Sequence, residues 1–224
     1  MTTLDAVLFD LDGTLLDTAP DFFVVVNQLC QHHQQAPVSY EAVRATVSHG
    51  ARALVTLAFE LQPGDAEFEQ RRQQLLALYS GHLAVKTCLF NGLEDLLGWL
   101  ESQSIAWGIV TNKPRLYAKP ILAALGLEQR CAVLVCPDDV THTKPDPEPL
   151  LLACKQLNCR PSNTLYVGDH RRDIEAGQRA GMPTMAAGYG YIDPSDPSQS
   201  WGADHHIDDA DTILSLIQRE FVIR

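Results

Sequence analysis

The stretch Asp5-Ala6-Val7-Leu8-Phe9-Asp10-Leu11-Asp12-Gly13-Thr14-Leu15 decides how the rest of the chain is read. Ala6 to Phe9 is an unbroken apolar run that stops at a carboxylate, the pattern of a parallel strand buried on both faces. Gly13-Thr14 then turns the chain. Ligands in open α/β sheets gather beyond the carboxyl ends of the strands, so this strand would deliver Asp10 and Asp12 to the place where a site is expected. On an ideal strand the two carboxylates point the same way and repel one another unless a cation lies beside them. An all-oxygen donor set suits a hard divalent ion, Mg²⁺ before Zn²⁺. The plainer alternative is an Asp-rich turn after a core strand.

The surrounding composition narrows the classes. With 224 residues, 46% hydrophobic and 20% charged, the chain is long enough for a substantial core and ordinary for a globular protein. A net charge of -11 without any Lys/Arg cluster argues against nucleic acid as a partner, while a small anion held by local cations remains compatible. The six cysteines are scattered, without a CxxC pair or matching histidine spacing for zinc. They read as reduced thiols of a cytoplasmic protein. The opening segment lacks the basic-then-apolar signature of a secretory signal, and no apolar run approaches the roughly 20 residues a membrane span requires.

Further along, residues 17–85 read as helical. Thr18-Ala19-Pro20-Asp21 has the form of a capping box before a helix to about His33, and Ser39 or Tyr40 starts the next one. Gly50 marks a break, and a polar helix follows the turn Pro63-Gly64-Asp65. From Leu89 onward strands and helices alternate. Strands are expected at 105–110, 131–136, 164–167 and 184–187, and helices at 92–103, 114–125, 147–157, 171–180 and after 209. This alternation means an α/β fold with a doubly wound parallel sheet. Residues 1–16 and 88–224 would form that core, and residues 17–87 a small helical cap domain inserted after the first strand.

Three more polar clusters fall at strand ends. Thr111-Asn112 offers a hydroxyl, an amide and the free N–H groups of the following helix, suited to phosphate or equally to an N-cap. Lys144, set between Thr143 and Pro145, presents a point charge from a stiffened loop, or is simply an exposed lysine. Asp169, ending the strand at Gly168, and Asp173, four residues on, could join Asp10 in a carboxylate cluster. For Asp173 the alternative is an acid favoured at a helix start.

DxDGT at Asp10 to Thr14, Thr111-Asn112, Lys144 before Pro145, and Gly168-Asp169 with Asp173, in that order, resemble the four motifs of the haloacid dehalogenase (HAD) superfamily of aspartate-nucleophile phosphatases. The helical insert resembles the small cap of its phosphoglycolate-phosphatase-like branch. Shorter stretches, among them His49-Gly50-Ala51-Arg52-Ala53, Lys144 to Pro149, Gly188 to Ile192 and Trp201 to Asp204, resemble bacterial proteins of that branch, some of which act on N-acetylmuramic acid 6-phosphate. The resemblance implies a Rossmann-like core and a phosphomonoester hydrolase. Asp10 would be the nucleophile, Asp12 the acid and base, and Thr111, Asn112 and Lys144 the phosphoryl-binding groups. Mg²⁺ would be held by Asp10, Asp169 and the carbonyl of Asp12, with Asp173 beside it. The implied substrate is a small carboxylate-bearing phosphorylated metabolite, N-acetylmuramic acid 6-phosphate or 2-phosphoglycolate. Arg52 is the candidate for gripping the carboxylate, with His49 and Gly50 near it. His170 departs from the Ser or Thr found in many relatives. A monomer or homodimer is expected. A phosphomutase of the same superfamily, or a phosphate-binding module without catalysis, stays open as an alternative.

Overall fold

The computed structural model describes residues 2–223. The chain divides into two compact units, one containing the residues up to Leu16 and those from Leu89 onward, the other Asp17–Cys88.

The first unit is built on six strands, β1 (Ala6–Phe9), β2 (Ala106–Val110), β3 (Val133–Val135), β4 (Thr164–Gly168), β5 (Thr184–Ala187) and β6 (His205–Ile207), all parallel in the order β3-β2-β1-β4-β5-β6. Every residue of β1 is fully buried, as its unbroken apolar sequence requires of the central strand. Val7 sits opposite Trp107 of β2 on one side and Leu165 of β4 on the other. Helices at Leu93–Ser102, Arg115–Ala124, Glu148–Leu157, Arg171–Ala180 and Ile213–Glu220 connect or follow the strands. One core cluster joins Leu8, Val110, Val133, Val135 and Tyr166 of the sheet to Leu150, Ala153 and Cys154 of one helix and Ala176 of another. The strand order reverses direction beside β1: the chain runs outward through β2 and β3, then returns to β4 and runs outward through β5 and β6. That reversal opens a crevice at the carboxyl ends of β1, β2 and β4.

The sheet confirms the α/β, doubly wound parallel class and adds a strand that the pattern did not signal. β6 is only three residues long, begins with two histidines, and lies at the sheet edge, where neither length nor apolar alternation marks it. The expected strand at 131–136 is shorter, Val133–Val135, because Cys131 is taken into a turn by the bond from its N–H to the Leu127 carbonyl.

The second unit is helical, with α-helices at Ala19–His32, Tyr40–Thr46, Gly50–Phe59 and Phe68–Ser80. Ser39 caps the second of these, its hydroxyl accepting from the Ala42 N–H at 3.2 Å. Gly50 has φ +80°, which accounts for the break there. Phe22 stacks on Tyr79 with centroids 3.9 Å apart, tying the first helix to the last.

The capping box expected at Thr18 is not formed, since Thr18 makes no side-chain cap bond. Asp21 is fully buried and points elsewhere. Its carboxylate accepts from the N–H groups of Val85 (3.1 Å), Lys86 (2.8 Å) and Thr87 (3.1 Å) and from the Thr87 hydroxyl (2.6 Å). A single side chain thus satisfies a segment with no regular secondary structure of its own. Removing it leaves several donors without a partner, so Asp21→Ala is expected to lower stability by about 3 kcal/mol or more, read as the shift of a denaturant midpoint. A change below about 0.5 kcal/mol would show that water substitutes freely.

Among the described residues no helix is long and apolar enough to cross a membrane.

Candidate active site

The carboxyl ends of β1, β2 and β4 meet in the crevice. β1 delivers Asp10, whose N–H donates to the Val167 carbonyl of β4 at 2.9 Å. Beyond it Leu15 and Leu16 both donate to the Leu11 carbonyl, folding the Asp12-Gly13-Thr14 turn back over the strand end. β4 delivers Asp169, and the helix that follows supplies Asp173 from its first turn.

Asp10, Asp169 and Asp173 are all buried, and one oxygen from each lies within 4.8 Å of the others. Each carboxylate is oriented separately. Asp169 accepts from the Thr14 hydroxyl (3.0 Å) through Oδ1 and from the Tyr191 N–H (2.8 Å) through Oδ2. Asp173 Oδ2 accepts from the His170 N–H at 3.0 Å, closing a capping box in which the His170 ring in turn accepts from the Arg172 N–H at 3.2 Å. The departure at His170 therefore caps the helix, the task a small hydroxyl would otherwise perform. Gly13 and Gly190 lie so close to Asp169 that a Cβ on either would overlap its side chain, so both positions admit only glycine.

Lys144 counters this charge. It is 3% exposed, with Nζ 2.9 Å from Asp10 Oδ1 and 2.7 Å from Asp173 Oδ1. Asp10 Oδ1 is enclosed and lacks a well-directed hydrogen bond, so that atom is paired by charge rather than by alignment. The directed bonds of the ammonium run to the Tyr166 hydroxyl (2.7 Å) and the Val110 carbonyl (2.9 Å). Burial opposes ionisation of Asp10, but Lys144, and then Arg172, outweigh it and hold that carboxyl below its ordinary range. Asp169 is set differently. Burial first, then the charges of Asp10 and Asp173, push it up to about 7, with the Tyr191 N–H and Arg172 lowering its titration only in part. Asp173 is also raised by burial, with Lys144 offsetting part of the effect.

Three buried carboxylates with an all-oxygen donor set, their titration raised at Asp169 and Asp173 by burial and mutual repulsion, fit a hard divalent cation, whose charge would favour the ionised form of all three. A second grouping, His142, Asp146 and Glu148, is a poorer fit. Its Glu148 carboxylate already accepts from the N–H groups of Thr141 and His142.

Asp12 faces a different partner. Both its oxygens bind the Lys113 ammonium, at 2.9 and 3.2 Å. The carboxylate thus stands outside the three-membered cluster. Lys113 was not singled out in the sequence, although it directly follows Thr111-Asn112.

Around Thr111-Asn112 several polar groups already have partners within the protein. The helix begins at Arg115 behind Pro114, and the Arg115 N–H is already bonded to Asp138 at 2.9 Å. One donor of that N-terminus is thereby taken. Thr111 is buried, its hydroxyl accepting from the Lys113 N–H at 3.1 Å. Asn112 braces the Lys144 loop: Nδ2 donates to the Lys144 carbonyl (3.0 Å) and Oδ1 accepts from the Lys144 N–H (3.2 Å). Arg172 supplies a further positive charge felt by Asp10, Asp169 and Asp173. In the helical unit, His49 and Arg52 are exposed on either side of Gly50.

A profile of the haloacid dehalogenase-like hydrolases matches residues 7–187, a span that takes in every group just described from Asp10 to Asp173. The chain belongs to that family. The N-acetylmuramic acid 6-phosphate phosphatase of Pseudomonas aeruginosa is 49% identical over 216 residues, covering 96% of each chain. A phosphoglycolate phosphatase of Xanthomonas campestris pv. campestris is 43% identical over 199 residues, covering 89% of this chain and 90% of its own. Among solved structures, that of a predicted phosphoglycolate phosphatase from Haemophilus somnus 129PT superposes with a TM-score of 0.85 at 28% identity, covering 97% of this chain and 100% of the other. The protein is accordingly an enzyme, a HAD phosphatase.

Proposed function

We propose that this HAD phosphatase hydrolyses a small carboxylate-bearing phosphomonoester through a phosphorylated Asp10. The observation that carries the reading is the buried meeting of Asp10, Asp169 and Asp173 with the Lys144 ammonium at the reversal point of the sheet.

Asp10, held ionised by Lys144, attacks phosphorus in line and forms an acyl phosphate, which divides one difficult hydrolysis into two displacements. Asp12 turns from Lys113 to protonate the departing alkoxide and then accepts a proton from the attacking water. Lys144, Lys113 and the Thr111 hydroxyl are placed to receive phosphoryl oxygens. Asp10, Asp169 and Asp173 would hold Mg²⁺; because the Asp12 carboxylate is engaged by Lys113, its contribution to the ion would come from the main-chain carbonyl. When bound, the ion neutralises charge on the transferred group. Asn112 acts on phosphate only indirectly, by fixing the Lys144 loop.

The names of the two curated relatives support N-acetylmuramic acid 6-phosphate as the first substrate to test and 2-phosphoglycolate as the second. Both carry a carboxylate beside the phosphate. The helical unit Asp17–Cys88 serves as the cap, and its exposed Arg52 reads that carboxylate. Arg52→Ala is expected to lower kcat/KM by about ten-fold or more on a carboxylate-bearing substrate and by much less on a plain sugar phosphate, as loss of a bidentate ion pair requires. Equal losses on both would remove Arg52 from substrate recognition.

The deciding experiment is phosphate release from a panel of phosphomonoesters containing both named compounds, with Mg²⁺ and with excess chelator. Metal-dependent turnover of one or both supports the proposal. A sugar phosphate isomerised without phosphate release would point instead to a phosphomutase, and silence across the panel to a binding module.

A further inference from the structure

Tyr166 lies in the middle of β4 and is fully buried, yet the reaction outlined above gives it no part. Its hydroxyl forms a triangle with the Lys144 ammonium (2.7 Å) and the Val110 carbonyl (2.9 Å), the ammonium itself being 2.9 Å from that carbonyl. A tyrosine hydroxyl carries one proton at neutral pH and can donate it once. Its single proton must therefore go to an acceptor. The Val110 carbonyl at 2.9 Å is better placed than Asp173 Oδ1 at 3.5 Å. With that proton given away, the oxygen lone pairs face Lys144.

Lysine has three protons to place and no acceptor of its own. One directed at the Tyr166 oxygen and one at the Val110 carbonyl fix how the ammonium is rotated and set it 2.9 Å from Asp10 and 2.7 Å from Asp173. Without the hydroxyl, the bond to the Val110 carbonyl alone would no longer fix that rotation, and the ammonium would be free to swing about it relative to Asp10 and Asp173. We propose that Tyr166 is a positioning residue whose hydroxyl seats the Lys144 ammonium for the phosphoryl group. This rests on the reading that Lys144 acts on that group.

Tyr166→Phe keeps the ring in the core and removes only the hydroxyl. With an aryl phosphate, whose good leaving group keeps slow variants measurable, it is expected to lower kcat on the order of ten-fold while KM changes less than about three-fold, the signature of a misplaced charge. Lys144→Met and the double variant Tyr166→Phe/Lys144→Met complete the cycle. If the hydroxyl acts through the ammonium, the double variant is no slower than Lys144→Met alone. An unchanged kcat in Tyr166→Phe, a ten-fold loss that persists in the Lys144→Met background, or failure of Tyr166→Phe to fold would each overturn the assignment. Wild-type turnover in Lys144→Met is a separate result: it would sink the proposed role of Lys144 itself.

Discussion

Asp10→Asn is expected to lower turnover on the order of 10⁴-fold or more, the scale seen when a covalent nucleophile is removed. The amide is nearly isosteric and cannot attack phosphorus. Folding should survive for a reason visible in the cluster. Asp10 brings a negative charge beside two carboxyls that are already held up by burial and mutual repulsion, so neutralising it relieves Asp169. Lys144 keeps Asp173 as a counter-ion at 2.7 Å. The melting temperature of the metal-free protein should accordingly stay level or rise. Phosphate release measured beside a thermal melt checks both halves, and substantial turnover from a folded Asp10→Asn protein would end the assignment of the nucleophile.

Asp12→Asn should cost about 10²- to 10⁴-fold in kcat on an alkyl or sugar phosphate, the usual range for a general acid and base. Asparagine retains an oxygen that can accept from Lys113, which limits disturbance of the 2.9 Å pairing. The loss should shrink on an aryl phosphate, whose leaving group departs without a proton. Binding of inorganic phosphate should be nearly unchanged. A loss of the same size on both esters would mean that Asp12 does not protonate the leaving group.

The fold class could be read from residue types because it depends on a coarse signal: apolar runs ending in Asp10, Thr111 and Asp169, each followed by a helical pattern. Helix Arg171–Ala180 and strand Thr184–Ala187 have the bounds the pattern implies, since Gly181, with φ +72°, closes one and Pro183 precedes the other. The meeting of Asp10, Lys144, Asp169 and Asp173 was legible in the same way, each group falling near a strand end.

What local pattern could not show is how polar side chains choose among partners distant in sequence. Asp21 has the spacing of a capping residue but bonds to residues 85–87, where unsatisfied amides offer more than a helix end already within reach of water. Asn112 resembles a phosphate ligand and is spent on the Lys144 backbone. Tyr166 looked like one more core aromatic in an apolar strand. Only the strand order β2-β1-β4 shows that its hydroxyl reaches past β1 to the end of β2. The Gly188 to Ile192 stretch carried only a family resemblance, and nothing in it shows that Gly190 and Tyr191 approach Asp169.

The central place of β1 has a bearing on how the chain is made. This strand leaves the ribosome before its neighbours: Ala106–Val110 emerges only after the whole Asp17–Cys88 unit, and Thr164–Gly168 later still. Contacts of such long sequence separation form slowly, whereas helices joined by short loops can assemble as they appear. A nascent chain would carry a finished helical unit behind an Ala-Val-Leu-Phe segment with no strand partner until β2 is synthesised and with one edge open until β4 follows, the interval in which chaperones would have most to shield.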